Sequence, residues 1–291
     1  MLAGLASQAP AQELEPRAYS PSPVGANILV VGYSRSSGDV LFEPSVPITD
    51  VDAEFNAVSI GYQRTFGMFG RAANVLVAAP YVWGDVSGKV GEESDAITRS
   101  GLGDPRLRLS INLAGGPALK ATEFAHRRQT TTLGASLTVV PPLGQYDSTK
   151  LINLGANRWS FKPELGVSYP VGRWTLEGYA GVWLFSDNDE FFGGARREQD
   201  PIGALQLHAS YTFRPRLWLA FDSTWYAGGQ STVDGVHNDD RQSNTRVGLT
   251  LSLPLGARQS LKLSWSEGAT TRIGGNFTTI GMAWQHAWLP R

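Results

Sequence analysis

The chain has 291 residues, 18% of them charged and 10% aromatic, with 33 glycines, 17 prolines, no cysteine and a formal net charge of -1. The missing cysteine excludes disulfide scaffolds, thiolate metal sites and cysteine nucleophiles, and the near-neutral balance argues against nucleic acid as a partner. No run approaches the roughly 20 apolar residues that a membrane helix needs, so a membrane location would have to be reached with strands.

Residues 1–11, MLAGLASQAPA, end on Ala9-Pro10-Ala11, the small-x-small pattern that precedes a signal-peptidase cut. They read as the remnant of a signal peptide. Residues 12–23 carry Pro16, Pro21 and Pro23 and are expected to be extended and irregular. Residues 24–291 form one domain in which apolar and polar side chains alternate, the mark of strands with unlike faces. Leu107, Leu109, Ile111 and Leu113 alternate with Arg106, Arg108, Ser110 and Asn112, and the same period runs through 205–213 and 246–253.

Segments bounded by turn-forming residues fall near 26–36, 54–66, 71–84, 101–114, 128–141, 157–169, 173–186, 201–213, 217–228, 243–254, 259–267 and 278–288. Tilted strands of about 9–11 residues are what a bilayer requires. Helical spacing surfaces only weakly, in Ala118–Arg127. The sequence therefore predicts an all-β fold, a single antiparallel transmembrane β-barrel of 12 strands.

The connections alternate in length. Those at 67–70, 170–172, 214–216 and 255–258 are tight; those around 37–53, 85–100, 142–156, 187–200, 229–242 and 268–277 are long and polar, and only 114–127 breaks the rule. Short periplasmic turns and long extracellular loops are the outer-membrane pattern. Charge sorts along the same axis. Arg71, Lys120, Arg127, Arg128, Arg173, Arg214, Arg216 and Arg258 lie on the short side against Glu123 alone, while the long loops hold most of the acids. Tyr169, Trp174, Phe213, Trp218 and Trp288 beside the short turns, and Tyr81, Trp83, Trp159, Trp225 and Trp265 nearer the long loops, are expected to form two interfacial girdles.

A charge facing lipid at mid-depth costs about 2–4 kcal/mol, so charged residues of opposite parity must point inward. Asp104, Arg106, Arg108, Arg158, Lys162, Glu164, Glu177, His208, Asp222, Arg246 and Lys262 are the expected lumen residues. They suit a mixed-charge constriction or equally an internal brace. Tyr179, Trp183 and Tyr226 share inward parity and are candidates for a solute vestibule near the long loops, with core filling as the alternative. Gly101-Leu102-Gly103-Asp104 is followed by Pro105 and a strand rather than a helix, which argues against phosphate binding. Asp187, Asp189 and Glu190 lack EF-hand spacing and read as a solvated loop face, bridged through divalent cations to lipopolysaccharide. No cofactor is implied. A lipid-hydrolysing barrel would need serine and histidine in reach of one another, and no serine pairs convincingly with His126, His208, His237 or His286.

GLGDPRLRLS at 101–110, NRWSFKPELGVS at 157–168, GRWTLE at 172–177, DNDEF at 187–191, REQDP at 197–201 and QSN at 242–244 make the chain similar to the family named for the MetA pathway of phenol degradation. The resemblance spans nearly the whole mature chain and implies an outer-membrane transporter or channel for small, hydrophobic or aromatic solutes. The alternatives are a structural or adhesive barrel with a closed lumen and, third, an outer-membrane lipid hydrolase. Expected partners are outer-membrane lipid and lipopolysaccharide, a small-molecule solute and the barrel-insertion machinery. Many outer-membrane barrels end on an aromatic residue, whereas this sequence runs past Trp288 into Leu289-Pro290-Arg291.

Overall fold

A computed structural model describes residues 14–41, 48–90 and 93–290. The signal-peptide reading of 1–11, residues 12 and 13, and the loop acids Glu43 and Glu92 lie outside them. Seventeen strands are present among the described residues: β1 (Asn27–Leu41), β2 (Ile48–Met68), β3 (Arg71–Val90), β4 (Glu93–Leu102), β5 (Arg106–Ala114), β6 (Thr132–Val140), β7 (Ser160–Val171), β8 (Trp174–Phe185), β9 (Asn188–Phe191), β10 (Ala195–Gln199), β11 (Ile202–Arg214), β12 (Leu217–Gly228), β13 (Ser231–Val233), β14 (Val236–His237), β15 (Gln242–Pro254), β16 (Gln259–Thr270) and β17 (Gly274–Trp288).

Thirteen of them form the wall. Each pairs antiparallel with its neighbours, β1 meets β17, and β2 meets β3, so the sheet closes on itself. Strands β4 and β5 both pair with β3 and occupy one wall position, which makes the barrel 12-stranded as the alternation predicts. Their interruption has a local cause. Pro105 has no N–H to give the ladder, and the Asp104 carboxylate is drawn inward, accepting the Gly144 and Ala156 backbone N–H groups at 2.7 Å each.

The tight turns fall where expected. Met68 pairs with Arg71, leaving Phe69 and Gly70 as a two-residue loop with φ of 51° and 72°. Positive φ at both central positions is the hairpin geometry that matches strand twist. The exceptional short-side connection contains a helix, α1 (Ala121–Ala125), whose Glu123 accepts the Lys120 N–H at 2.9 Å.

The lipid face is apolar where parity requires it. Leu109 is 44% exposed and Leu207 55%, against 8% for Arg108 and 3% for His208 on the adjoining positions. Tyr33, Tyr81 and Trp83 cluster near the long-loop end, and Tyr62 with Trp288 near the other. Such an outward apolar belt between aromatic girdles places the barrel in the bacterial outer membrane.

Two sequence expectations are corrected. Trp218 is not a girdle residue: it is 5% exposed and sits inside the lumen beneath Arg17. Parity, which it shares with Asp222, overrides its nearness to a turn. The described parts of 37–53 and 85–100 are not irregular loops but continuations of β1 to β4 beyond the bilayer. There the amphipathic pattern inverts. Above Tyr33 and Trp83 the outward residues become Arg35, Asp39, Glu54 and Asp85, with Arg35 and Glu54 2.8 Å apart. Inward, Val40, Val51, Ala53, Phe55 and Val86 pack with Phe277 and with Ile152 of the 142–156 connection. Water outside and hydrocarbon inside is a soluble-protein arrangement, and it begins where lipid ends. The segments 187–200 and 229–242 likewise contain a small sheet in the order β14-β13-β10-β9.

Candidate functional site: the lumen

Residues 14–26 rise from the periplasmic end into the lumen. The segment is tied at its foot, where Val24 N–H donates to Leu119 O and Gly25 N–H to Thr65 O. Above that it crosses the interior. The Tyr19 ring, 2% exposed, lies against Gly134 and Gly166, where an added Cβ would meet ring atoms at 2.1 and 2.3 Å. Only glycine allows so close an approach.

Glu164 on β7 is the hub of the belt around this ring. Its carboxylate accepts the Tyr19 hydroxyl at 2.9 Å, Arg108 Nη2 at 3.1 Å, Lys162 Nζ at 2.6 Å and Gln206 Nε2 at 3.3 Å. Arg108 also holds the Glu15 carboxylate and lies 5.3 Å from the Tyr19 ring centre; Arg106 approaches Glu15 to 4.0 Å. Glu177 on β8 accepts the Arg17 backbone N–H at 2.8 Å. On the neighbouring strands His208 Nδ1 lies 2.7 Å from Asp222 Oδ1, and Thr250 donates to Asp222 Oδ2 at 2.7 Å. Charges removed from water need partners. The wall alone would leave this belt short of them, and the N-terminal segment contributes Glu15 and Tyr19.

All eleven expected lumen residues lie inside the barrel, but not in one ring. Asp104 pins the 142–156 connection. Arg158 lies higher, 4.2 Å over the Phe185 ring and bonded to Gln199. Arg246, 2% exposed, donates Nη2 to Ser266 at 3.0 Å. Lys262 lies lower, 5.7 Å over Trp218.

The three expected vestibule aromatics divide as well. Trp183 and Tyr226 pack with Val140, Ile202 and Ala204 toward the long loops. Tyr179 sits deeper, edge-on to Tyr19 at 5.1 Å and 5.0 Å from His208. Glu15, Arg17 and Tyr19 belong to the site although strand parity does not reach them. Their i, i+2, i+4 spacing of charged and aromatic residues is the one signal of it in the sequence.

Outside the belt, Arg196 on β10 gathers Asp187, Asp189 (3.5 Å) and Glu198 (3.2 Å), which raises its pKa above the ordinary guanidinium value. A protein cation thus already sits among the loop acids. His126 contacts Thr122 O, His237 contacts Thr232, and His286 stacks between Trp284 and Trp288. His208 has an acid at Nδ1, yet its Nε2 has no hydrogen-bond partner among the described residues, and a triad needs a hydroxyl there.

Among solved structures, an outer membrane channel of the COG4313 group from Pseudomonas putida F1 is similar over 95% of this chain and 100% of its own, at 24% identity and a TM-score of 0.79. The β-domain of the Bordetella autotransporter Brka (12% identity, TM-score 0.56, 91% and 100% covered) shares the barrel. So does the transport unit of autotransporter AIDA-I from Escherichia coli (8%, 0.53, 98% and 96%). These likenesses establish fold. No curated protein matches by sequence. Residues 35–280, the barrel wall from the first strand to the last, match a family model, and the chain belongs to the family described as "Putative MetA-pathway of phenol degradation".

Proposed function

We propose that this barrel is a channel for small solutes, held closed at rest by the joint between its N-terminal segment and the charged belt. The observation that carries the reading is Tyr19 bonded to Glu164 at 2.9 Å between two glycines. A purely structural filling needs no such fit, because wall side chains alone can fill a small barrel. Here the seal is a separate segment that can leave without breaking any strand pair of the wall.

The similar protein from Pseudomonas putida F1 is named as an outer membrane channel, and the family description names phenol degradation. Both support a solute-conducting role, and the apolar clusters above the belt suit hydrophobic or aromatic solutes better than sugars. The rival is a structural barrel with a permanently closed lumen, which the density of internal packing favours.

Planar-bilayer conductance and liposome swelling separate the two. The parent should give small or intermittent conductance, and Tyr19→Ala with Arg17→Ala should raise it. Arg108→Ala together with Arg158→Ala should also raise it and change ion preference. If every variant is as silent as the parent, the closed structural barrel is the correct reading.

A further inference from the structure

Beneath the Tyr19 seal the lumen opens into a chamber of about 460 Å³. Its roof is Arg17, Ser20 and Pro21, its floor includes Phe124 and Arg127 of the α1 connection, and its walls are the periplasmic ends of the strands. Four lining residues are cations (Arg17, Arg127, Arg216 and Lys262), and none is an acid. The rest of the polar lining is hydroxyl and amide.

The hydrogen-bond partners of the guanidinium groups are neutral, although the Arg17 backbone N–H donates to Glu177. Arg17 donates to Ser210 (3.1 Å) and Thr212 (2.6 Å) and lies 4.6 Å over Trp218. Arg127 donates to Gly115 O, and Arg216 to the carbonyls of Gly256, Ala257 and Gln259. Lys262 has the Trp218 ring at 5.7 Å. Among the described residues, none of the four has a carboxylate within ion-pair distance. Carbonyls and hydroxyls orient a cation without cancelling its charge. The carboxylates that act on Arg17 and Lys262 are Glu15, Glu177 and Asp222 of the belt above, outside the lining, and Glu15 and Asp222 are already engaged by Arg108 and His208, so the lining keeps an excess of positive charge. Low-dielectric walls focus its field. The contrast with the belt above is sharp: there Arg108 and Lys162 meet Glu164 directly.

We infer that this periplasmic chamber is a binding site for a small multivalent oxyanion, a polycarboxylate or a phosphate compound. The volume is within the range of ligand pockets. Cations at roof, floor and wall match a ligand carrying more than one charged group. The hydroxyls of Ser168 and Thr175, which also line it, supply donors for the remaining oxygen lone pairs, whereas those of Thr130 and Thr132 donate to backbone carbonyls at 3.3 Å each. The site does not require that the barrel conduct, since it is formed in the closed state, with the sealing segment as its roof.

The test is titration calorimetry on the full-length protein in neutral detergent at low ionic strength, with citrate and inorganic phosphate as separate probes. At least one should bind saturably, one per chain, and weaken as salt is added. Which of them binds tells a carboxylate site from a phosphate site. Lys262→Gln with Arg127→Gln should weaken binding by about tenfold or more, the size expected on losing hydrogen bonds to charged groups, and Lys262→Arg should restore most of it. Folding of each variant is checked by the heat-modifiable gel mobility of the barrel. Absence of saturable binding by the parent to both probes overturns the inference, as does unchanged affinity in a folded double variant.

Discussion

Halfway along the barrel the interior is filled by charge pairs, whereas nearer the extracellular rim it is filled by hydrocarbon, and the two fillings answer to different perturbations. In the belt, Glu164 carries Arg108, Lys162 and Tyr19 at once. In the rim, Val40, Phe55, Phe277 and Ile152 form one cluster, and Trp183, Ile202 and Tyr226 a second. Hydrocarbon packing gains by exclusion of water and needs no directional partner. A buried charge pair roughly breaks even when complete and is costly when one member is removed. The belt is therefore the more fragile of the two and the better placed to be opened.

The largest effect should come from breaking the hub. Glu164→Ala leaves Arg108 and Lys162 facing each other without their shared carboxylate, and about 3–5 kcal/mol of stability should be lost. Urea unfolding in detergent reads this directly, and conductance should rise in the same variant. Unchanged stability would mean that the belt is solvated and does not seal.

A change of nearly the same size on the wall serves as the contrast. Leu207, 55% exposed to lipid, should cost about 2–4 kcal/mol as Leu207→Arg if it sits near mid-membrane, with no gain in conductance. Gln206→Arg, one position away and facing Glu164, should be milder. Equal costs at both positions would refute the assignment of faces.

How much of the molecule is legible in its sequence follows from the same contrast. Lipid imposes period two on every crossing strand, so all twelve wall positions and the parity of Leu207 and His208 can be read directly. Past the girdle that constraint ends. Strands β1 to β4 run on with charge outside and valine inside, a pattern that looks like loop when judged by polarity alone. Trp218 looks like a girdle residue when its nearness to a turn is weighed above its parity. The N-terminal segment offers only the brief Glu15, Arg17, Tyr19 alternation, too short to reveal its path, since its conformation is set by what surrounds it. Gly134 and Gly166 reveal its path only once strands β6 and β7 are seen side by side.

A third substitution acts on the seal with the belt charges left in place. Gly166→Ala puts a methyl where the Tyr19 ring now lies, 2.3 Å from its Cε2. Either the ring leaves or the strand yields, at a cost of about 1–3 kcal/mol. Conductance should rise as in Tyr19→Ala, although every belt charge is still present. A stability loss without any conductance change would show that the charges alone close the lumen.

The smallest effect belongs to the rim and depends on pH. Ile152 and Leu154 enter the interior from a connection whose turn is built on Asp147. The Asp147 carboxylate accepts the Thr149 hydroxyl at 2.6 Å and its N–H at 3.0 Å, and Lys150 Nζ lies 3.1 Å away. The Thr149 hydroxyl first, then Lys150, holds the Asp147 pKa down at about 2, below the ordinary 3.8. A carboxyl whose pKa is lower in the folded chain contributes stability above its unfolded value and loses it as pH falls through the folded one. The turn should therefore hold at neutral pH and loosen between about pH 4 and pH 2. Hydrogen exchange at the Thr149 and Lys150 amides should show protection lost across that window in the parent. In Asp147→Asn the amides should be weakly protected throughout, with no titration. The belt contacts Tyr19–Glu164 and Arg108–Glu164 should be unaffected by that substitution at neutral pH, because the hydrocarbon filling lies between them and the turn. If Asp147→Asn also raises conductance at neutral pH, the rim and the belt open together and are one seal rather than two.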